Sequence, residues 1–247
     1  MHKKLEQRRH RLERGKPMNA LAIDCAVSRL AVAAKSGSTF AKITIDAGTR
    51  QSEKLLPAID TVMKEAGIAP SELDCTAVTQ GPGTFTGLRL GLSALKAIQL
   101  AHGVPLYAVP SLKAYAWPFR KFRETVLSVI QAKEDEYFYA FYMHGEQIRA
   151  EESMDIEGIL RQLDPEIPIL TCGPAASQFT GRARELFPLC PAYDISPESG
   201  CCESLLEIAE LMLREKTPPL NDYDGPLYVK KSEAEIALAS GTKRKEL

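Results

Sequence analysis

Histidine is scarce in this chain of 247 residues, with four in all. They are His2, His10, His102 and His144, and no two stand four apart, so no helical His-x-x-x-His pair can grip a metal ion. The six cysteines (Cys25, Cys75, Cys172, Cys190, Cys201 and Cys202) form no C-x-x-C pair. Several sit inside apolar strand patterns, where a free thiol behaves as a small hydrophobe. No cluster of His, Cys and carboxylates has metal-ligand spacing, and the cysteine usage implies a reduced, cytoplasmic setting. Long apolar runs are also missing. None approaches the ~18 uncharged residues that a membrane span needs, and residues 21–34 are broken by Asp24 and Arg29, which a signal-peptide core would not tolerate. Nor is there a basic excess: 31 Lys and Arg against 32 Asp and Glu leave −1. A chain that grips nucleic acid unaided usually carries a basic stripe.

What is present begins with a basic segment. Residues 1–17 hold seven Lys or Arg against Glu6 and Glu13, which leaves −6 over residues 18–247. Short runs of this kind are commonly solvated tails; the other readings are a nucleic-acid-binding arm, or a start codon placed ahead of a true start at Met18. From residue 18 the apolar period is that of strands at 18–24, 29–35 and 39–46. A helix follows over 52–66 with Gly67 beyond its end, then a strand at 74–79, a helix at 86–102 and a strand at 105–109. Residues 125–131, 137–143 and 147–152 read as three more strands. A helix at 155–163, a strand at 167–172 and helices at 175–186 and 199–215 complete the pattern. The order strand-strand-strand-helix-strand-helix thus occurs twice, at 18–110 and 111–231, with a tail at 232–247. Three antiparallel strands followed by alternating helices and strands imply an α/β chain with a mixed sheet of the five-stranded type in each lobe. That order matches the duplicated ribonuclease-H-like fold of actin, sugar kinases and Hsp70 chaperones (ASKHA), an analogy that leaves function open.

The most unusual local sequence is Gln80-Gly81-Pro82-Gly83-Thr84-Phe85-Thr86-Gly87-Leu88-Arg89-Leu90-Gly91. It is a strand end, a glycine-rich turn and a helix start, with Thr86 a natural N-cap. Down the helix Gly87, Gly91, Ala94 and Ala101 leave one face almost without side chains, beside a stripe of Leu88, Leu92 and Leu95. Such a face admits a second helix at close range, within this chain or on a partner. The turn lacks the lysine and spacing of a P-loop and the pattern of a dinucleotide fingerprint.

The segment GPGTFTGLRLGLSALKAIQLAHGVPLYAVPSL closely resembles the signature segment of the TsaB family, also known as YeaZ. LAIDCAVSRLAVA resembles that family's opening, QSEKLLPAIDTVMKEAG its first helix, TVLSVIQAKEDEYFYAFY its second-half hairpin, and PLYVKK its C-terminal segment. The resemblance implies a two-lobed actin-like fold and a non-catalytic scaffold or activator in making threonylcarbamoyladenosine at adenosine 37 of tRNAs reading ANN codons. The implied partners are TsaD, the catalytic subunit, as a heterodimer, and TsaE, an ATPase, with ATP and metal held by those partners and tRNA met only through the complex; homodimer and monomer both stay open for the chain alone. It also implies partner contacts on the two helices 52–66 and 86–102, here assigned to Leu55, Ile59, Val62, Gly87, Leu88, Gly91, Leu92, Ala94 and Leu95. The signature turn itself is Gly81, Pro82, Gly83, Thr84, Phe85 and Thr86, with Arg89.

Catalytic groups are hard to find. The catalytic subunit of this superfamily holds metal with a His-x-x-x-His pair, absent here. Actin-like ATPases place acidic residues at the first turn of each half. Asp24 is a weak candidate in the first half, while Gln131-Ala132-Lys133 stands where family members often show Asp-Ala-Arg, and Cys25-Ala26 replaces the family's Thr-Ser. An amide for a carboxylate removes a negative charge, so a self-sufficient small kinase or ATPase is the weaker reading. A peptidase is weaker still, because no nucleophile, base and orienting group can be argued together. Cys201-Cys202 opens a helix, where a thiolate could be stabilised, yet no partner base is visible and a structural role is the expectation.

Overall fold

Strand β1 (Asn19–Asp24) is buried on both faces, and its alternation sends small and large side chains opposite ways. Ala20 and Ala22 face one core while Leu21 and Ile23 face another. The computed structural model that shows this describes residues 5–6, 8, 16–149, 152–164, 166–196 and 200–227. β2 (Arg29–Ser36) repeats the division, with Ala31 and Ala33 on the first side and Leu30, Val32 and Ala34 on the second. β3 (Thr39–Asp46), β4 (Cys75–Gly81) and β5 (Leu106–Pro110) complete a sheet ordered β3-β2-β1-β4-β5. β1, β2 and β3 pair antiparallel, and β4 and β5 are added in parallel. The Leu and Ile side of this sheet is covered by α1 (Gln51–Glu65) and α2 (Phe85–His102).

The second half builds the same order. β6 (Thr125–Lys133) and β7 (Glu136–Met143) form the hairpin, and β10 (Ile169–Cys172) and β11 (Ala192–Asp194) add in parallel beyond β6. The third strand expected at 147–152 is divided into β8 (Glu146–Gln147) and β9 (Glu152–Asp155), which pair with opposite ends of β7. α4 (Ile156–Leu160), capped by the Asp155 side chain, and α5 (Ala176–Leu186) cover the outer face through Ile156, Ile159, Phe179 and Ala183. The duplicated ribonuclease-H-like fold expected from element order is therefore present, with two mixed sheets flanked by helices.

Two helices tie the lobes together. α3 (Ser111–Ala116), not expected from the sequence, touches β4 and β5 of the first sheet and β6 and β7 of the second. α6 (Cys202–Arg214) comes from the second half yet lies on β1, β2, β4 and β5 of the first sheet. The alanines on that sheet's inner face let Leu205, Ala209 and Leu213 of α6 approach, and the shared core runs on to Val126, Ile130 and Ala140 of the second sheet.

Most of the basic segment 1–17, the segment 232–247 and all but the start of the PLYVKK stretch lie outside the described residues. Of the basic segment, Leu5 is buried in the shared core, and the Arg8 guanidinium donates to the carbonyls of Leu73 and His102 at 3.0 and 3.5 Å and to that of Gly103. His102 and Gly103 close α2, so this cation sits at the negative end of a helix.

Candidate functional site

The glycine-rich turn is built against the loop that follows β1. β4 ends at Gly81, whose φ of 134° favours glycine, followed by a cis Gly81–Pro82 bond. The Leu227 carbonyl lies where a Gly81 side chain would stand, and the Leu227 amide donates to Gln80 O at 2.8 Å. Gly83 faces the Ala26 carbonyl, which also accepts from the Thr84 amide at 2.7 Å. Gly87 faces the Cys25 carbonyl, and a Cβ there would also stand 2.6 Å from Thr84 Oγ1 and 2.9 Å from Gln51 Oε1. Gly91 rests on Val78 and Ile23. α2 starts at Phe85, with Thr84 before it and no side-chain cap, so Thr86 lies in the first turn instead of capping it.

These contacts correct the partner assignment. Leu55, Val62, Leu88, Leu92 and Leu95 are buried within this chain, as are Gly87 and Gly91. Ile59 and Ala94 are partly buried against the same core. The small-residue face seats the helix on its own sheet, because a strand can approach a helix closely only where the helix carries no Cβ. The outward side carries Leu56 (66% exposed), Phe85 (45%) and Leu100 (72%), with the Arg89 guanidinium 3.7 Å from the Phe85 ring centre.

Between the lobes lies a cleft of about 360 Å³. One wall is formed by Val27, Ser28, Arg29, Asp46 and Thr84, the other by Gln131, Gly173 to Ala175 and Gln178, and Asp24, Tyr115 and Gly200 meet at its floor. Arg29 is paired with Asp46 at 2.9 Å, and the Gln131 amide donates to Glu134 O at 2.7 Å. Asp24 is only 2% exposed. Its Oδ1 accepts from the Ala26 amide at 3.1 Å and the Thr79 hydroxyl at 3.3 Å, and its Oδ2 from the Tyr115 hydroxyl at 2.8 Å and the Cys201 thiol at 3.2 Å. Four donors fill the roughly four acceptor positions of a carboxylate. Burial, then the Asp24 charge, pushes both the Tyr115 hydroxyl and the Cys201 thiol well above their ordinary values, so both keep the protons they donate.

Sequence reasoning found Asp24 and Cys201 but not their meeting. Tyr115 was missed: one tyrosine in a short apolar stretch carries no local signal of a carboxylate partner from β1. Cys201 and Cys202 are both buried, and burial is the largest cause raising their thiols well above the ordinary value, which agrees with the structural role expected of them and not with a thiolate. Among the described residues no group of three or more His, Cys, Asp or Glu could hold a metal ion, and no helix is long and apolar enough to cross a membrane.

Burial likewise raises Cys25 and Cys75 and pushes Cys172 up to about 12 from 9.0. Unfolded thiols ionise near 9, so the stability held below that pH is expected to fall steadily as pH rises from 9 towards 12. Urea midpoints at pH 8, 9 and 10 check this, and a flat series would contradict it. In the folded chain at pH 8, a thiol-specific chromogenic reagent is expected to reach Cys190 alone of the six, the other five being buried.

The comparisons with known proteins agree with this fold. Residues 45–167 match the family model described as TsaD, tRNA N6-adenosine threonylcarbamoyltransferase. The chain is 25% identical over 162 residues to the tRNA threonylcarbamoyladenosine biosynthesis protein TsaB of Bacillus subtilis (strain 168), covering 63% of this chain and 71% of that protein. It is 28% identical over 142 residues to the protein of the same description from Escherichia coli (strain K12), covering 54% of this chain and 62% of that one, less than two thirds of its length. The solved structure of YeaZ from Pseudomonas aeruginosa superposes with a TM-score of 0.68 at 23% identity, over 85% of this chain and 99% of that one, a likeness of fold.

Proposed function

We propose that this chain, a member of the TsaB (YeaZ) family, is a non-catalytic scaffold or activator in tRNA threonylcarbamoyladenosine biosynthesis. It acts as the partner of TsaD, the transferase, in a complex joined by TsaE, an ATPase, and the product forms on adenosine 37 of tRNAs reading ANN codons. The observation that carries this reading is the state of Asp24. A carboxylate that accepts from Ala26, Thr79, Tyr115 and Cys201 has no lone pair to spare for a metal ion or a water nucleophile. Across the cleft, Gln131 supplies an amide where a second carboxylate would be needed to place a divalent ion. ATP and metal are therefore assigned to the partners, and the contribution of this chain is surface.

That surface is the outward side of α1 and α2. Leu56, Phe85 and Leu100 expose apolar area there, and Arg89 stacked on Phe85 adds two residue types that are enriched at protein interfaces. The inward residues Leu55, Val62, Gly87 and Gly91 serve the docking only by holding the helices on the sheet.

The test is reconstitution. Threonylcarbamoyladenosine formation on tRNA is measured with the cognate TsaC, TsaD and TsaE, with and without this protein. Product is expected only when it is added, and none from it alone. An unchanged yield on its omission would overturn the reading. Micromolar, Mg²⁺-dependent ATP binding by the isolated chain would favour an independent actin-like kinase or ATPase instead.

A further inference from the structure

The floor of the cleft is where three separate parts of the fold meet. Asp24 ends β1 of the first sheet, Tyr115 belongs to α3, which touches both sheets, and Cys201 immediately precedes α6, which returns from the second half to cover the first. Both cross-connections fall on one atom, Oδ2, at 2.8 Å from Tyr115 and 3.2 Å from Cys201. Thr79 and the Ala26 amide take the other oxygen and hold the carboxylate to the first lobe. The backbone is shaped to allow this approach. Gly200 has a φ of 77°, and a Cβ there would stand 3.2 Å from the Ala31 side chain and 3.5 Å from Asp24 Oδ2. A buried carboxylate that lost these donors would cost far more than an exposed one.

We infer that Asp24 is an interlobe latch: its carboxylate pins the two crossing helices, α3 and α6, at the hinge and so fixes the opening of the cleft between the lobes. The inference stands on this geometry and holds whether or not the chain acts in tRNA modification. Because Asp24, Tyr115 and Gly200 also line the cleft, anything that enters far enough to take Tyr115 or Cys201 away from Asp24 releases the hinge. The position that would carry a metal in a catalytic arrangement is used here to set the relation between two lobes.

Amide hydrogen exchange by mass spectrometry on the full chain tests this, with Tyr115→Phe, Cys201→Ala and Cys201→Ser. Tyr115→Phe and Cys201→Ala are expected to raise exchange roughly tenfold in the two walls, residues 26–29 and 173–178, the scale of one lost hydrogen bond to a charged group. The sheet interiors, residues 30–34 and 126–130, should not change. Cys201→Ser keeps a donor and should stay near the parent. The double variant Tyr115→Phe with Cys201→Ala should open the walls by more than either single one, since both donors serve one oxygen. Uniform acceleration of walls and sheet interiors alike would show a core hydrogen bond with no hinge role and overturn the proposal. So would unchanged walls in both single variants. If Cys201→Ala fails to fold, Tyr115→Phe alone decides between these outcomes.

Discussion

Gly87→Ala is expected to cost about 3 kcal/mol or more and to leave little folded chain at moderate urea. One added methyl would overlap the Cys25 carbonyl and crowd Thr84 Oγ1 and Gln51 Oε1 at 2.6 and 2.9 Å. The first of these is backbone, fixed between the end of β1 at Asp24 and the hydrogen bond from the Thr84 amide to the Ala26 carbonyl, so it cannot step aside as a flexible side chain would. Overpacking of this kind costs about 1–3 kcal/mol, occasionally more, against a total stability of roughly 5–15 kcal/mol. Gly181→Ala is the matching control. Gly181 lies in α5 with nothing within 4 Å of an added Cβ, so the same change there should stabilise by about 0.5–1 kcal/mol through helix propensity. Urea midpoints should therefore move in opposite directions. If the Gly87→Ala midpoint stayed with the parent, the small-residue face would not be seated on its own sheet, and the expectation that it receives a partner helix would return.

Charge placed on the outward side of α2 should do the reverse, sparing the fold and removing the docking. Phe85→Asp with Leu100→Glu replaces the two most exposed apolar side chains of that helix, 45% and 72% exposed, and removes the ring under Arg89. Neither side chain is buried in this chain, so the urea midpoint should shift by no more than the ±0.5 kcal/mol usual for surface changes. Two lost apolar anchors and two carboxylates desolvated at a contact should weaken TsaD binding by at least about 100-fold, the scale of interface hot spots. Calorimetry with the two purified proteins reads the affinity directly. Undiminished binding by a folded double variant would place the contact elsewhere on the molecule and remove the outward face from the proposal. Tight binding by the parent together with its loss in the variant would support it.

Much of this was legible in the residues. Ala20-Leu21-Ala22-Ile23 gives a strand buried on both sides, and the mirrored order of elements gives two similar lobes. Gly67 after α1 has the left-handed φ of 65° that its place at a helix end implies. Boundaries drifted where local signals competed. Thr86 looks like a cap, but the turn hands that place to Thr84. The polar stretch around 147–152 read as one strand and is two, each paired with a different end of β7.

The sequence by itself determined most of the strands and helices, α3 and β11 excepted, because the period of apolar residues is a property of neighbours along the chain. Through GPGTFTGLRLG and its flanking elements it also carried the resemblance to the TsaB family. Only the tertiary structure decided which way the glycine face of α2 points, since a stripe of small residues suits an internal sheet and a foreign helix equally well. It alone decided what Asp24 does. Its partners Tyr115 and Cys201 stand 91 and 177 positions away in the chain. No periodicity reaches that far. The meeting exists because two crossing helices bring both donors to one buried oxygen, and burial makes that carboxylate depend on them.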